Sequence, residues 1–463
     1  MPANSPHPLS LLTALRLNQA VQLALVGAGG KTHAMFQLAY ELASQFNYVL
    51  VTTSTHLGRD QVNQADHHFV LNPQENFPFH TVLDKGIICI SGAWDDSSER
   101  WQGLTLNQLA QLSQFAHQES IPLLIEADGS RQLPIKAPAE HEPLIPTFVD
   151  TVIVIAGLNG LHQPLGHEWV HRPQIYADLS GLKLGDPLTT PSLATVLCHP
   201  QGGLKNIPPH SRKICLLTHA DDIQSQAESR HLSQLLRRCY ATIVVVSALH
   251  HASSNLTECG FYQVIAIHEA TAGIVLAAGA SQRFGKPKQL LQWKGETLVH
   301  HAARVALEAS LDPVIVVCGS ESELVQNAVA DLPVKIVFNP DWQAGQSTSI
   351  QAGLKALPAH VGAAVFLLAD QPHVSPSVLR LLVDDHSHNL ASIIGPLVDG
   401  QRANPVLFDR RTFGALLELQ GDIGGRALFS RYPPRWLPWH DKRLRIDIDT
   451  PDAYQQLIND QYD

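Results

Sequence analysis

Residues 274–288 read IVLAAGASQRFGKPK, an order that leaves a folding chain few options. The apolar run 273–276 has the composition of a strand buried on both faces of a parallel sheet. It breaks at once into the small residues Ala277, Ala278, Gly279, Ala280 and Ser281, and the cations Arg283, Lys286 and Lys288 follow closely. Small side chains let backbone N–H groups approach an anion, and the cations offset the charge of a polyphosphate. The pattern predicts a triphosphate cradle, with Leu276 through Ser281 and Lys288 at the nucleotide.

A chain of 463 residues exceeds what one hydrophobic core usually supports, so two or more domains of about 100–250 residues are expected. A formal net charge of -10 argues against a nucleic-acid partner, which calls for a basic field. No apolar run approaches the ~20 residues that span a bilayer, and no N-terminal stretch joins a basic head to an apolar core. No membrane partner and a cytoplasmic location are therefore expected. The six cysteines (Cys89, Cys198, Cys215, Cys239, Cys259, Cys318) lack CxxC spacing, which predicts reduced, mostly buried thiols. There is no HExxH, and pairs such as His67-His68 and His250-His251 are expected on the surface as solvated side chains.

In the N-terminal half, residues 21–26 form an apolar strand that runs into Gly27-Ala28-Gly29-Gly30-Lys31-Thr32 and then into a helical pattern through Met35, Leu38, Ala39 and Leu42. This is the order of a P-loop, with loop amides on phosphate, Lys31 as a mobile counter-charge and Thr32 placed for Mg2+. The full spacing would put glycine at position 25, where Leu25 stands, so the loop is shortened or atypical. A second strand, 48–51, ends in Thr52-Thr53-Ser54-Thr55, and a third, 122–125, delivers Glu126 and Asp128. Either carboxylate suits a magnesium shell, and Asp128 equally suits a turn cap before Gly129. Strands at 152–156, 214–217 and 243–246 complete the pattern; the last two lead into Thr218-His219-Ala220-Asp221 and Ser247-Ala248. GTPases read guanine with an Asn-Lys-x-Asp element and a later Ser-Ala. Only Asp221 and Ser-Ala remain here, which leaves ATP and GTP both open.

In the C-terminal half, 298–307 has helical spacing and 314–317 is a strand. The polar loop 339–349 precedes a helix expected at 350–357; Ser347 and Ser349 suit a nucleotide contact, an N-cap, or both. Strand 365–368 delivers Asp370, a carboxylate suited to Mg2+ at the α-phosphate. In 445–451, Asp447 and Asp449 share a face if extended; Asp447 is the preferred metal ligand, and Asp449 alternatively caps the helix near Pro451.

Two resemblances follow from these motifs. GAGGKT, VTTST, EADGSRQLPIKAPAEHEP and the THAD element resemble the YqeC-like family, accessory proteins of selenium-dependent molybdenum hydroxylases, over about residues 11–266. Departures are His33, where a second Thr is frequent, and His219, where Lys is expected. LAAGASQRFGKPKQL, NPDWQAGQSTSIQAGL, LLADQP, QRANPVLF, GDIGGRAL and DIDTPDAY occur in the order seen in molybdenum cofactor cytidylyltransferases of the MobA-like NTP transferase family. The expected fold is α/β, with a P-loop-like accessory domain at 11–267 and a Rossmann-like nucleotidyltransferase domain at 272–463.

The second resemblance implies transfer of CMP from CTP to the phosphate of a molybdopterin-type cofactor, with pyrophosphate released. Related guanylyltransferases usually carry LAGG, so Ala278 tilts the base toward cytosine. Arg283, Lys288 and Asp370 would then be catalytic, Mg2+ would lie on Asp370 and Asp447, and the pterin would lie near Asn404, Pro405, Asp422 and Arg426. In the N-terminal half, Gly27, Gly29, Gly30, Lys31, Thr32, Glu126, Asp128 and Asp221 are the expected nucleotide ligands. A molybdenum hydroxylase is the expected client. Two alternatives stand beside this reading: transfer to another phosphate acceptor, and a non-catalytic cofactor carrier in the N-terminal half.

Overall fold

The computed structural model describes residues 9–17, 20–72, 85–248, 261–279, 284 and 287–459. The chain divides into two compact units, Met1–His268 and Glu269–Asp463.

The first unit is built on a parallel sheet. Its strands in chain order are β1 (Gln22–Gly27), β2 (Tyr48–Thr53), β3 (His67–Val70), β4 (Gly86–Ser91), β5 (Leu123–Glu126), β6 (Thr151–Gly157), β7 (Arg212–Thr218) and β8 (Thr242–Ala248). In space they run β8-β7-β6-β1-β5-β2-β4-β3, with every pair from β7 onward parallel. Apolar residues fill both faces because helices cover both, which explains why β1 and β6 read as continuous hydrophobic runs. β1 lies between β5 and β6; the chain leaves β1 toward β2 on one side and later crosses from β5 to β6 on the other, which opens a crevice beyond the carboxyl ends of these strands. The helix Lys31–Ala43 follows β1 and buries Met35, Leu38, Ala39 and Leu42. At its start Gly30 has φ 114°, and a Cβ there would meet Tyr262 Oη at 2.0 Å, so only glycine fits.

In the second unit the strands are β9 (Tyr262–Ala277, of which 270–277 pairs here), β10 (Val314–Cys318), β11 (Lys335–Phe338), β12 (Val361–Leu368), β13 (Ile393–Val398), β14 (Val406–Asp409) and β15 (Arg435–Pro438). β9 pairs in parallel with β10 and β12, β10 with β11, and β14 pairs antiparallel to β12 and β13. Period-2 alternation divides β9 between two cores. Val275 and Ala277 pack with Val299, Ala302, Val378 and Leu382, from the helices Leu298–Glu308 and Pro376–Asn389. Ala272 and Ile274 pack on the other face with Ile350 and Leu354, from the helix Gln346–Lys355.

Several local expectations change. The helix expected from residue 350 begins at Gln346, after Gly345 at φ 113°, so neither Ser347 nor Ser349 is an N-cap. Asp449 does not cap the last helix, Pro451–Asn459; Thr450 Oγ1 accepts from Ala453 N–H instead. His68 is half-buried, with Nε2 2.9 Å from Ser91 Oγ, because it lies on β3 beside β4 rather than in solvent. Residues 250, 251 and 259 lie outside the described residues; the other five cysteines are free, with Cys89, Cys215 and Cys318 buried. Among the described residues, no helix is long and apolar enough to cross a membrane.

Candidate nucleotide sites

In the second unit, the carboxyl ends of β9 and β12 bring Leu276, Ala277, Ala278, Gly279 and Asp370 to one cavity of about 700 Å3, where the short turn Lys288–Leu290 adds Lys288. A Cβ at Gly279 would touch nothing within 4 Å, so this backbone is open to a ligand. Lys288 Nζ donates to Asp370 Oδ2 at 2.8 Å and to Asp449 Oδ1 at 2.7 Å. Burial disfavours its charge, but the two carboxylates outweigh that and raise its pKa. Gln289 Nε2 donates to Gly279 O at 3.2 Å and ties this turn to the loop. Ala280, Ser281 and Arg283 lie outside the described residues.

Asp447 accepts a 2.6 Å hydrogen bond from Gln371 Nε2. Burial raises its pKa, and the charges of Asp370 and Asp449 add to that against the Gln371 hydrogen bond. The fold thus gathers three carboxylates around one lysine, an excess of negative charge suited to a hard cation. Among the described residues, however, no group of three or more His, Cys, Asp or Glu side chains is arranged to hold a metal. The partner of Lys288 that sequence reasoning missed is Asp449, whose role there was confined to ligand or cap.

A second cavity of about 390 Å3 shares Leu276, Gln346, Leu368 and Asp422 with the first and adds Asn404 and Arg426. Phe366, Phe408 and Phe429 give it an aromatic wall. Pro405 is outside that lining and follows Asn404 through a cis peptide. Ser347 requires a correction: its hydroxyl is fully buried and donates to Gly421 O at 2.7 Å, so it braces the 421–426 loop while Ser349 lines the first cavity. The earlier helix start turns Ser347 inward.

In the first unit, the carboxyl ends of β1, β2 and β5 border a cavity of about 1190 Å3 lined by Gly29, Gly30, Lys31, Thr32 and Glu126. Thr32 Oγ1 donates to Glu126 Oε2 at 2.7 Å and accepts from Gln61 Nε2 at 2.8 Å. Burial raises the Glu126 pKa against the opposing pull of Lys31 and Thr32. Asp128 turns to the loop's underside, where both its oxygens accept from Gly27 N–H at 3.2 and 3.0 Å. Lys31 is tethered rather than extended into the cavity. Its Nζ donates to Gly27 O at 2.8 Å and stands 3.3 Å from Asp128 Oδ1, because a buried ammonium needs both a carboxylate and an acceptor. Asp221 lies outside the cavity lining and accepts from Ala248 N–H at 2.9 Å; His219 and Ala248 line it instead.

A chain of charges extends from this loop. Lys136 Nζ lies 2.8 Å from Asp128 Oδ2 and 2.7 Å from Glu142 Oε2, and Arg172 Nη1 lies 2.8 Å from that same Glu142 oxygen. Burial opposes ionisation of Glu142, but hydrogen bonds from Arg172 and Lys136 overcome it and pull the pKa down to about 2. Lys136, Glu142 and Arg172 were given no roles from sequence. The KAPAEHEP run held a signal for the first two, a lysine and a glutamate embedded among prolines and alanines, whereas Arg172 stands apart from every motif.

The two units define a protein with an α/β framework in each half, each with a cavity at the carboxyl edge of a largely parallel sheet. Residues 273–436 match the family described as MobA-like NTP transferase domain, and residues 23–174 match the YqeC protein family. The chain is similar to the uncharacterized protein YqeC of Escherichia coli (strain K12), at 33% identity over 47% of this chain and 82% of that protein. It is also similar to nicotine blue oxidoreductase of Paenarthrobacter nicotinovorans, at 32% identity over 40% of this chain and 95% of that protein. A probable molybdenum cofactor guanylyltransferase of Bacillus cereus (strain Q1) is 31% identical over 41% of this chain and 96% of that protein. The chain belongs to the YqeC family through its N-terminal half and to the MobA-like NTP transferase family through its C-terminal half.

Proposed function

We propose that the C-terminal half, taken as a domain of residues 272–463, transfers CMP from CTP to the terminal phosphate of a molybdopterin-type cofactor and releases pyrophosphate. The observation that carries this reading is the junction of two cavities: one holding Lys288, Asp370 and the β9 loop, the other holding Asn404, Asp422 and Arg426 beside an aromatic wall. A triphosphate suits the first and a flat ring the second. The Bacillus cereus relative's name supports a molybdenum cofactor as acceptor, while its guanylyl specificity makes the base the point to test.

The acceptor phosphate already carries the attacking oxygen, so no covalent enzyme nucleophile is needed. The chain must hold that oxygen in line with the α-phosphorus and offset developing charge. Lys288 and Arg283 clamp the phosphates, with 276–281 as cradle. The Asp447 and Asp370 carboxylates, crowded together with Asp449, would hold Mg2+, which supplies positive charge at the α-phosphate when bound. Lys288 then transfers its contact from Asp370 to the triphosphate.

The N-terminal half, taken as residues 11–267, is read as a cytoplasmic accessory domain that binds ATP or GTP on Gly27, Gly29, Gly30, Lys31 and Thr32 and serves a molybdenum hydroxylase client. The Thr32–Glu126 contact supports it, since a loop hydroxyl and a strand-end carboxylate meet where a nucleotide's metal would be held. The test is incubation of the full chain with molybdopterin-type cofactor, Mg2+ and each nucleoside triphosphate in turn, with mass analysis of the product. A cytidine dinucleotide form of the cofactor is expected from CTP. Product from GTP alone would reassign the base, and no nucleotidylated cofactor from any triphosphate would reject the acceptor.

A further inference from the structure

The N-terminal cavity, at about 1190 Å3, is larger than the ~300–1,000 Å3 usual for one small ligand. Its lining carries Lys31, Arg59, Arg100, Arg131 and Arg172 against Asp60, Glu99, Glu126 and Glu142, a positive surplus in a chain of formal charge -10. Five of the thirteen non-glycine residues with positive φ among the described residues line it. Glu99, Arg131, Gln132, Arg172 and His219 all have φ between 52° and 68°, and all five line this cavity. Non-glycine residues held in the left-handed region persist only where the surroundings enforce them, and they cluster at ligand clamps.

The wall beyond the glycine loop is also rich in unused donors. Arg172 is fixed through Nη1, which donates to Glu142 Oε2 at 2.8 Å and to Ala137 O at 3.4 Å; its Nε and Nη2 have no protein acceptor among the described residues. Arg131 has no hydrogen-bond or ion-pair partner among the described residues, yet it lies close enough to His171 for its charge to act there. Ser54 Oγ, at the end of β2, is buried with no partner and lines the same cavity. Because the buried ion pairs through Glu142 hold Arg172 in place, a planar donor edge is presented with little entropy left to lose.

We propose that this cavity takes two ligands at once: a nucleotide on Gly29 to Thr32, and a phosphorylated small molecule whose oxyanion is held by Arg172 and Arg131. The nucleotide part rests on the reading given above for the N-terminal half; the oxyanion subsite stands on the arginines alone. The buried charge chain joins the two positions, since Asp128 touches Lys31 at one end and Lys136 at the other. A phosphate on the loop that draws Lys31 away leaves Asp128 to Lys136, and so bears on Glu142 and Arg172.

The test is equilibrium dialysis of labelled inorganic phosphate against the full chain saturated with Mg2+ and a non-hydrolysable ATP or GTP analogue, compared with Arg131→Ala and Arg172→Gln. Phosphate bound elsewhere is common to all three proteins and cancels in the comparison. The expected result is phosphate binding beside the analogue, weakened about ten-fold or more by each substitution, with analogue affinity unchanged in Arg131→Ala, whose side chain lies outside the charge chain. Glycerol 3-phosphate is expected to displace the label and succinate not; displacement by succinate alone would overturn the phosphate assignment. If the analogue expels phosphate and both substitutions weaken the analogue instead, the arginines belong to the triphosphate and the proposal fails. It fails equally if phosphate binding is absent or indifferent to both arginines. Arg131→Ala removes an exposed, unpaired side chain, so a folding defect cannot mimic the effect. Should phosphate binding depend on the arginines while no analogue binds at the glycine loop, the nucleotide reading is the one that falls.

Discussion

Thr32 Oγ1 donates a 2.7 Å hydrogen bond to Glu126 Oε2 across 94 positions of sequence, while Asp128, two residues further on, faces Gly27 N–H and Lys31. Two acidic residues that look interchangeable at the end of one strand therefore have separate duties. Glu126 belongs to the cavity side of the loop and Asp128 to its underside.

The first prediction uses that division. Glu126→Gln is expected to leave folding intact but to weaken Mg2+-dependent nucleotide binding by the N-terminal half, since an amide is a poor ligand for a hard cation. Asp128→Asn is expected to lower stability by about 3–5 kcal/mol, because it strips a buried carboxylate from Lys31 and Lys136. Denaturant unfolding and nucleotide titration of both variants check this. Equal stability losses would refute the division of roles.

Acid should loosen the same unit in two stages. The His171 pKa is lowered from near 6.5 to about 4, first by burial and then by Arg172 and Lys136, so the unfolded chain binds the proton more readily and stability falls as pH drops through that range. Glu142, lowered to about 2 from 4.5, contributes stability above its unfolded value that is lost as pH falls toward 2. Thermal midpoints recorded from pH 7 to 3 should decline throughout. His171→Gln should flatten the upper part of the decline, and an unchanged profile would remove His171 from the account.

At the C-terminal site, Asp370→Asn is expected to reduce nucleotidyl transfer on the order of 10²–10³-fold while preserving the fold. The amide cannot replace a carboxylate beside Mg2+, and it also weakens the ion pair that Lys288 makes with residue 370 while the one with Asp449 remains. Steady-state turnover at saturating Mg2+ is the measurement. Wild-type turnover would rule Asp370 out as a ligand.

Ser347→Ala tests the brace. Loss of its hydrogen bond to Gly421 O should cost about 0.5–1.5 kcal/mol and loosen the loop that carries Asp422 and Arg426. The expected signature is a higher KM for the phosphate acceptor with little change in KM for the triphosphate. A rise confined to the triphosphate would return Ser347 to the nucleotide.

The strands, the glycine loop, Lys31, Lys288 and Asp370 were legible in the sequence because each depends on local pattern: an apolar run, small residues where backbone must approach an anion, and a charge at a strand's end. Register and burial were not legible, and they decided the rest. Ser347 turned inward because its helix starts four residues earlier than the hydrophobic spacing suggests, and Lys31 is clamped because folding brings Asp128 beneath it. Glu142 and Arg172, 30 positions apart, meet only where the 137–143 segment and the turn before the helix Pro173–Ser180 pack together. Sequence pattern reports what a residue can do with its neighbours in the chain. Which charge meets which across the fold is set by the cost of burying any of them alone, and that cost acts only once the sheet has closed the distance.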